Sequence, residues 1–383
     1  MTVQDPGAAN VTAPVAARLM GDGKTALTVL CLRFAREVFR RFGVPYRELH
    51  DYGLRRQSAA AAARILAAES PDLVVVGTNE EPQSLDRWLT VTAKARGIPV
   101  VSILDYWCNY SQRFSGPSGE ERFLYLPDLV FVMDEQARDE MISEGFPAEG
   151  LFISGHPYLE VCQGQSGRLS EDERGRFRRS LGVPGGGRLL TFVSETFGWT
   201  YDSSYRFKPV SGSRERTIIV LEHLLRAVTE IVKEKGLEVF ILNKLHPKNS
   251  LGQFAWIQSL ALPFPVRSVK RLDNSTLVQS SDLVVGMTSM FMLEAAVLGV
   301  PTLHVVPREI EEGFLGRGTR ARRLARTPAE LRKELLDFLA GEVGKGAREA
   351  DAPMPLNHRG ATVRAAGKLY QILGIADDLP SAL

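Results

Sequence analysis

The sequence predicts an α/β protein with two doubly wound, Rossmann-like domains that face a central cleft. Short apolar runs, which are typical of strands buried on both faces, alternate with helical-period segments along almost the whole chain. This alternation stops in a polar, glycine-rich stretch and then begins again. The chain also has 383 residues, more than one hydrophobic core usually supports. We therefore expect ligands beyond the carboxyl ends of the strands.

The first predicted domain covers residues 1–160. Strands are expected at 27–32, 72–77, 98–104, 128–133 and 151–154, with amphipathic helices near 11–20, 33–42, 56–69, 84–96 and 134–144. A strand should also precede DPGAAN at residues 5–10, where only MTVQ is available. That first strand is therefore either very short or lies upstream of the given sequence.

Residues 161–187 form the predicted linker, because this stretch is charged, glycine-rich and contains one helical segment. The second predicted domain, 188–357, repeats the alternation. Its strands are expected at 188–193, 238–243, 282–286 and 301–305, and its helices at 214–235, 252–260, 289–298 and 327–341. A last helix, 359–374, lies in the C-terminal segment 358–383.

Composition and charge narrow the function classes. The formal net charge is only +2, which argues against a general nucleic-acid-binding protein. The three cysteines contain no CxxC pair, which argues against a disulfide framework or zinc ribbon and fits a reduced cytoplasm. The N-terminus lacks the features of a signal peptide, and no window holds about 18 uninterrupted apolar residues. We expect a cytoplasmic protein, with peripheral membrane contact and oligomeric state left open.

The stretch ILNKLHPKNS, residues 241–250, ends a predicted buried strand in a basic, imidazole-bearing tip. Pro247 turns the chain out of the strand and restrains His246 to an extended conformation. The His246 imidazole can donate to a phosphate or ribose oxygen, and Lys244 and Lys248 supply positive charge. A lone histidine is usually structural, but the strand end, the proline and the two lysines together favour a nucleotide phosphate site.

A second candidate phosphate site lies in SSDLVVGMTSMFMLEAAVLGVPTLHV, residues 280–305. A strand leads into a helix whose first residues, Thr288, Ser289 and Met290, offer backbone amides and two hydroxyls to an anion. Glu294 follows little more than one turn later and is expected to reach a ribose diol. Simple βαβ packing explains the apolar residues of this helix, but it does not explain the glutamate.

The predicted strand at 98–104 ends in Asp105, which is followed by a cluster of aromatic and polar residues. A carboxylate at a strand end beside aromatic side chains suits a general base, and aromatic faces suit sugar rings. The alternative is that the aromatic residues belong to the core and that Asp105 caps a turn. The residues expected to contact an acceptor here are Trp107, Asn109, Tyr110 and Arg113.

Glu80 and Glu81, in TNEEPQ, follow the predicted strand at 72–77. Both are reserve candidates for the catalytic base. Equally, they are typical of acidic residues in the first turn of a helix, where they stabilise the helix dipole, and this role is slightly favoured.

Three further segments contain weaker candidates. Gly7, in DPGAAN, would let a ligand approach the amides of a helix that Asn10 could cap, although a tight turn without a ligand explains the motif equally well. His156, in a second His-Pro pair, is expected to be a hinge or cleft-wall residue rather than a catalyst. Ser194, in VSETFG, could donate to phosphate oxygens or cap a turn.

On these motifs the chain resembles the GT-B superfamily of nucleotide-sugar glycosyltransferases and UDP-N-acetylglucosamine (UDP-GlcNAc) 2-epimerases. KLHPK resembles the His-Pro motif that binds the cytidine nucleotide phosphate in bacterial sialyltransferases, polysialyltransferases, Kdo transferases and CDP-glycerol-polymer transferases. GMTSMFMLEAAVLGVPTL resembles their Ser/Thr-Ser element and the helix after it. RGIPVVSILDYW is similar to the epimerase strand that ends in an active-site acid, a position that Asp105 takes. The epimerase pattern DSGG…EE is replaced by GMTSMFMLE, with one glutamate instead of two.

The resemblance implies a GT-B-like fold whose final helix crosses back to the first domain. It also implies a metal-independent glycosyltransferase without a cofactor. Such an enzyme would move a sugar from a nucleotide-activated donor, such as a CMP-linked nonulosonic or ulosonic acid, to a glycan or small-molecule hydroxyl in bacterial glycoconjugate or surface-polysaccharide synthesis. Two alternatives stay open. One is a nucleotide-sugar epimerase or hydrolase of the UDP-GlcNAc 2-epimerase type, and the other is a non-catalytic partner protein with the same fold.

Overall fold

The computed structural model describes residues 1–32, 34–79, 81–164, 169–198, 200–314, 323–341 and 358–376. The chain divides into two compact units. Unit 1 consists of Met1–Val161 and Asn357–Leu383, and unit 2 of Cys162–Leu356. Each unit contains one six-stranded sheet in which the paired strands run parallel, so the predicted pair of doubly wound α/β domains is confirmed.

Unit 1 has the strand order β2-β1-β3-β4-β5-β6. Its strands are β1 (Thr2–Val3), β2 (Leu30–Cys31), β3 (Val74–Val76), β4 (Val100–Ile103), β5 (Leu129–Val132) and β6 (Leu151–Ile153). Its helices are α1 (Pro6–Asp22), α2 (Ala35–Arg41), α3 (Ala59–Glu69), α4 (Leu85–Lys94), α5 (Tyr110–Phe114), α6 (Glu135–Ser143) and α7 (Pro157–Gly164), the last of which contains the boundary between the units. Since β1 lies between β2 and β3, the loops after β1 and β3 leave the sheet at a topological switch point.

Unit 2 has the strand order β12-β11-β10-β7-β8-β9. Its strands are β7 (Arg188–Val193), β8 (Val239–Lys244), β9 (Val266–Val269), β10 (Leu283–Gly286), β11 (Thr302–Val305) and β12 (Leu324–Ala325). Its helices are α8 (Glu171–Leu181), α9 (Arg216–Lys235), α10 (Asn274–Ser280), α11 (Met290–Val297) and α12 (Pro328–Ala340), with 3₁₀ helices at Leu251–Ser259 and Glu309–Phe314. The switch point lies between β7 and β10.

The central strands explain why the apolar runs predict the fold. Strand β7 pairs with β8 and β10, and its residues from Leu189 to Val193 are all buried. Helix α9 covers one face of this sheet with an apolar stripe that includes Ile219, Leu224 and Val228. A strand covered on both faces needs apolar side chains at successive positions, and this produces the continuous runs seen in the sequence.

Several elements differ from the prediction. Strands β9 and β12 and helix α10 were not predicted; the two strands are the sheet edges, are short and are incompletely buried, so they lack continuous apolar runs. The predicted α-helix at 252–260 is a 3₁₀ helix. Its buried residues Phe254 and Ile257 are three positions apart, which matches the 3₁₀ repeat.

The final helix, α13 (Ala361–Ile372), belongs to unit 1, as predicted. Its buried face includes Ala365, Leu369 and Tyr370. Among the described residues, no helix is both long and apolar enough to cross a membrane.

Candidate functional site

The candidate nucleotide site lies at the carboxyl edge of the sheet in unit 2, around its switch point. Ser194 and Glu195 directly follow β7, and we call this pair the Ser194–Glu195 turn. His246 follows β8, and Thr288 follows β10. Parallel strands that end at one edge place the loops after them side by side, which brings together residues far apart in the sequence.

His246 is held as a neutral hydrogen-bond donor. Its backbone N–H donates to Ser194 Oγ over 3.2 Å, and its Nδ1 accepts the backbone N–H of Lys248 over 3.1 Å. Burial, followed by the positive charges of Lys248, Lys244 and Lys270, lowers the pKa of His246 to about 4. A neutral ring that accepts at Nδ1 has its proton on Nε2. His246 can therefore donate through Nε2 to a ligand oxygen at neutral pH.

Of the two lysines predicted beside His246, Lys244 is buried and Lys248 is exposed. Lys244, the last residue of β8, is buried, and its Nζ donates to the carbonyl oxygen of Lys270 over 3.1 Å. Lys248 and Pro247 are exposed. The charges of Lys244, Lys248 and Lys270 all depress the pKa of His246, so this edge of the sheet carries the positive charge that a phosphate needs.

The Ser194–Glu195 turn connects the two predicted phosphate-binding segments. Ser194 Oγ accepts from the His246 backbone, as described above, and Asn249 Nδ2 donates to the Glu195 carbonyl oxygen over 2.9 Å. The Glu195 side chain reaches the other segment: its Oε1 accepts from Thr288 N over 2.6 Å and from Thr288 Oγ1 over 3.1 Å. His246 and Thr288 are thus both hydrogen-bonded to one dipeptide.

Glu195 ends a buried chain of alternating charges. Its Oε2 pairs with the Arg216 guanidinium, and Arg216 Nη1 pairs with Glu311 Oε1 over 2.8 Å. Glu311 Oε1 also accepts from Arg308 Nε over 2.7 Å. Arg216 and Glu311 are 3% and 0% exposed, so each depends on the other charges for compensation.

The start of α11 follows the predicted pattern, but some of its donors are occupied. Ser289 is the N-cap and accepts from Phe291 N over 3.3 Å, and Met290 is the first helical residue. The amide and hydroxyl of Thr288 are used by Glu195. Glu294 is buried, and its Oε2 accepts from Asn274 Nδ2 over 3.1 Å. The ribose contact of Glu294 and the phosphate contacts of Thr288 and Ser289 stay predictions.

In unit 1, Asp105 lies beyond the end of β4 in a polar cluster. Its Oδ1 accepts from Arg113 Nη1 over 2.6 Å and from Thr78 Oγ1 over 3.0 Å. Gly7 lies against the other carboxylate oxygen, since a β-carbon at position 7 would collide with Asp105 Oδ2. The Asp105 side chain is 13% exposed.

His156 supports the backbone of Asp105. Its Nε2 donates to the Asp105 carbonyl oxygen over 3.2 Å, while its Nδ1 accepts from Leu159 N over 3.3 Å. Burial lowers the pKa of His156 to about 4, so the ring is neutral at ordinary pH. The Trp107 ring stacks on it with ring centroids 5.6 Å apart. The sequence predicted a hinge or cleft-wall residue. In the structure, His156 is buried and hydrogen-bonded to the Asp105 backbone.

Two of the four predicted acceptor residues after Asp105 are buried. Trp107 and Tyr110 are buried, with their polar atoms bonded to Asp134 Oδ2 over 2.8 Å and to Glu140 Oε2 over 2.7 Å. Such burial fits the alternative reading of both residues as core residues. Asn109 has a φ of 56°, a left-handed conformation that asparagine tolerates better than most residues.

The remaining candidates of unit 1 are scattered. Glu80 lies outside the described residues. Glu81 lines an open pocket of about 720 Å³ together with Arg55 and Arg56. Because Glu81 precedes α4 by several residues, its expected place in the first turn of a helix is wrong. The predicted N-cap role of Asn10 is also wrong: Pro6 begins α1, and Asn10 Oδ1 accepts from Arg41 Nη2 over 3.1 Å.

Sequence reasoning missed three residues of the site in unit 2. Glu195 stands inside VSETFG, a motif that was singled out for its hydroxyl groups. An acid directly after a buried strand was the available signal, the same signal that selected Asp105. Arg216 and Asn249 gave no such signal, because their roles depend on partners in other elements.

Comparisons with known proteins identify the fold. No protein-family model matches the chain, and no curated protein matches its sequence. Solved structures do match. The S. aureus MnaA protein with UDP has a TM-score of 0.70 at 16% identity, covering 100% of this chain and 99% of that chain. The UDP-GlcNAc 2-epimerase from Neisseria meningitidis bound to UDP-GlcNAc has a TM-score of 0.65 at 14% identity, covering 97% and 98%.

A third solved structure is the UDP-GlcNAc 2-epimerase from Methanocaldococcus jannaschii with UDP-GlcNAc and UDP, with a TM-score of 0.62 at 14% identity over 97% of this chain and 98% of that chain. These neighbours confirm the GT-B-like fold and the resemblance to the epimerases. They do not confirm the resemblance to sialyltransferases, Kdo transferases or CDP-glycerol-polymer transferases.

The same neighbours overturn the predicted reaction. The prediction of a glycosyltransferase with a CMP-linked donor is wrong, because solved UDP-GlcNAc 2-epimerases match the chain over nearly its whole length and favour the epimerase alternative. The error has a physical origin: an imidazole after a strand and hydroxyls before a helix can bind a phosphate, but they do not specify the chemistry of the attached sugar. The chain has the GT-B-like fold of UDP-GlcNAc 2-epimerases.

Proposed function

We propose that this protein acts on a single UDP-linked sugar, as an epimerase or hydrolase of the UDP-GlcNAc 2-epimerase type. Several of the matching structures have UDP or UDP-GlcNAc bound, and their fold extends over nearly all of this chain. The residues of unit 2 add a site of suitable chemistry. The proposal needs no separate acceptor, unlike a glycosyltransferase.

The observation that carries the proposal is the state of His246. It is fixed by two backbone-linked hydrogen bonds, neutral, and surrounded by the charges of three lysines. A neutral imidazole donates a hydrogen bond without adding to the positive charge, while the lysines stabilise the negative charge of the diphosphate. Such groups stabilise UDP most strongly as it becomes a leaving group, when negative charge develops on its phosphate.

Asp105 is the proposed acid–base residue. Changing the configuration at a carbon next to the anomeric centre requires a proton to be removed from that carbon and later returned, and a hydrolase must deprotonate water. A carboxylate serves either purpose. Arg113 and Thr78 fix one oxygen of Asp105, which leaves Oδ2, on the Gly7 side, as the reacting oxygen.

The direct test is to incubate the full-length protein with UDP-GlcNAc alone and to follow the sugar by ¹H NMR. We expect the C2 epimer of the substrate, or free sugar together with UDP, to form without an acceptor. A protein that binds UDP but leaves UDP-GlcNAc unchanged would contradict the reaction. Failure to bind any nucleotide would instead support the non-catalytic alternative.

A thermal-shift panel of UDP, CMP, CDP, GDP and dTDP tests the nucleotide separately from the reaction. We expect UDP to raise the melting temperature most. His246→Ala should reduce this shift, because it removes the Nε2 donor. The exposed His50 provides a matched control: His50→Ala should leave the shift unchanged. A CMP or CDP preference would contradict the proposed substrate.

No divalent ion is required in this proposal, since the lysines beside His246 supply the positive charge. Turnover should therefore be the same in a buffer that contains Mg²⁺ and in the same buffer with excess EDTA. A loss of at least about tenfold with EDTA, restored by Mg²⁺, would show that a metal supplies part of the charge instead.

A further inference from the structure

The carboxylate of Glu195 occupies hydrogen-bond donors that a phosphate could use. The amide and the hydroxyl of Thr288 both donate to Glu195 Oε1, at 2.6 and 3.1 Å. An amide and a hydroxyl that converge on one oxygen are the donors that proteins use for phosphate oxygens. Glu195 therefore stands where a ligand anion would be favoured.

Glu195 also lies next to the His246 side of the site. Its carbonyl oxygen accepts from Asn249, three residues after His246, and its neighbour Ser194 accepts from the His246 backbone. A negative charge at this position acts on any phosphate that His246 binds. The effect is strong because Glu195 is only 9% exposed, where water screens charges poorly.

The buried charge chain holds the Glu195 side chain in place. Glu195 and Glu311 balance Arg216 and Arg308, so the four side chains together have no net charge. Moving the Glu195 carboxylate away would leave the Arg216 guanidinium with less compensation in a buried environment. The carboxylate is therefore a fixed part of the site rather than a mobile side chain.

We propose that Glu195 is a built-in anion that competes with a ligand phosphate for the Thr288 donors and weakens the binding of nucleoside diphosphates. The choice of UDP as ligand rests on the proposed function, but the competition itself does not. A hydrolase must release UDP and an epimerase must release a UDP-linked sugar, and in either case such a charge limits product retention. The role is one of specificity and release, since Glu195 need not touch the sugar.

The test is calorimetric titration of wild type and Glu195→Gln with UDP and, separately, with inorganic pyrophosphate. The substitution keeps the shape and removes the charge, and we expect both ligands to bind at least about tenfold more tightly, as expected from removing a nearby like charge. Glu238→Gln is the matched control. It removes the same charge from unit 2 at an exposed residue. Glu238 precedes β8 and therefore lies at the amino ends of the strands, away from the candidate site at their carboxyl ends, so neither affinity should change.

The two ligands separate this inference from the proposed function. Equal UDP affinity in wild type and Glu195→Gln overturns the inference and leaves the proposed function intact. Tighter pyrophosphate binding without any UDP binding supports the inference and contradicts the proposed ligand. Binding of neither ligand by either protein contradicts both.

A second variant covers the case in which Glu195→Gln does not fold because Arg216 has lost its partner. Glu195→Asp keeps the charge but shortens the side chain by one methylene, which withdraws the carboxylate from Thr288. We expect Glu195→Asp to bind pyrophosphate more tightly than wild type. An unchanged affinity in a folded Glu195→Asp variant overturns the inference.

Discussion

Asp86 is a buried carboxyl group that the candidate site does not use. Its Oδ2 accepts from Asn79 Nδ2 over 2.7 Å, and the Thr2 side chain also contributes a hydrogen bond. Burial, which outweighs the hydrogen bonds, raises the pKa of Asp86 from 3.8 to about 8. Because the folded pKa lies above the unfolded one, the folded state binds the proton more tightly. Stability from this group is therefore lost as the pH rises from about 4 to 8.

Asp86→Asn should remove this pH dependence, since an amide imitates the neutral carboxyl and does not ionise. We expect the difference in free energy of unfolding, variant minus wild type, to be larger at pH 8 than at pH 5 by on the order of 2–4 kcal/mol, so that the variant gains stability relative to wild type. Urea unfolding at the two pH values measures the difference. The exposed Asp72 gives a control, Asp72→Asn, that should show little change. A difference for Asp86→Asn that does not grow with pH would show that Asp86 is ionised in the folded protein.

Asp105 is the residue on which the proposed reaction depends. Asp105→Asn keeps the side-chain shape but removes the base, so turnover of UDP-GlcNAc should fall by about 10²- to 10⁴-fold. UDP affinity should stay the same, because the residues proposed to bind the nucleotide belong to unit 2. Steady-state kinetics and calorimetry measure the two quantities, and the exposed Asp139 supplies a control substitution to asparagine. Unchanged turnover with normal UDP binding would exclude Asp105 as the base.

At the scale of single residues, the sequence predicts positions well and partners poorly. The strand ends located His246 and Asp105 at their sheet edges, and the structure ties His246 and Thr288 to one turn. The role of Glu195 was not visible, because its ion-pair partner Arg216 is 21 residues further along the chain. The surroundings of Trp107 were not predictable either: its side chain is 2% exposed, and its indole N–H donates to Asp134, the N-cap of α6.

A few polar contacts attach the start of α13 to other residues of unit 1. Glu160, on α7, accepts from the backbone N–H groups of Gly360 and Thr362, two of the amides that a helix start leaves without a partner inside the helix. His358 Nδ1 accepts from His156 N over 3.1 Å. The C-terminal segment is thus connected, through His156, to the backbone of Asp105.

Glu160→Ala should therefore destabilise unit 1 by about 1 kcal/mol, the usual effect of losing a helix cap. Hydrogen exchange should show the same loss as faster exchange of the first amides of α13. The exposed Glu149, also in unit 1, gives a control, Glu149→Ala, with no expected effect on these amides. Exchange rates in α13 that match the wild type would mean that its apolar face alone holds the helix in place.

At the scale of elements, the predictions succeed where burial is complete. The core strands β7 and β8 correspond closely to the predicted runs, because both faces of each strand are covered. The edge strands β9 and β12 are incompletely buried and have no continuous apolar run in the sequence that could predict them. Asn10 failed as a cap for a local reason: a proline at the first helical position begins α1 earlier than the pattern suggested.

At the scale of the whole molecule, alternating strands and helices were sufficient to predict two parallel sheets, because few other folds bury such runs. They could not predict the reaction. The same fold is compatible with transfer, epimerisation or hydrolysis, and so is a phosphate site of the kind proposed in unit 2. The solved neighbours, not the motifs, supplied the correction.

Buried histidines in both units predict a common response to acid. Burial lowers the pKa values of four histidines to about 4 for His156, His246 and His304 and about 3 for His358. Since these folded pKa values lie below the ordinary value of 6.5, the unfolded chain takes up protons first as the pH falls. Their contribution to stability is complete above pH 6.5 and is lost between pH 6.5 and about 4. Asp86 acts in the opposite direction over this range, but it is one group against four.

We therefore expect the free energy of unfolding, measured with urea, to fall steeply between about pH 6.5 and pH 4.5. Above about pH 7 the histidines no longer change it, and it should fall only through the ionisation of Asp86, up to about pH 8. His304 is the best residue with which to isolate the effect, because it is 3% exposed and its Nδ1 is bonded to the Met287 carbonyl oxygen over 2.9 Å. His304→Asn can still donate to that carbonyl oxygen but cannot gain a proton, so its stability should fall less between pH 6.5 and 4.5, by on the order of 1–3 kcal/mol. The exposed His50 should give no such change when replaced by asparagine. If the wild type were equally stable at pH 6.5 and pH 4.5, these histidines would have to be accessible to protons in the folded protein.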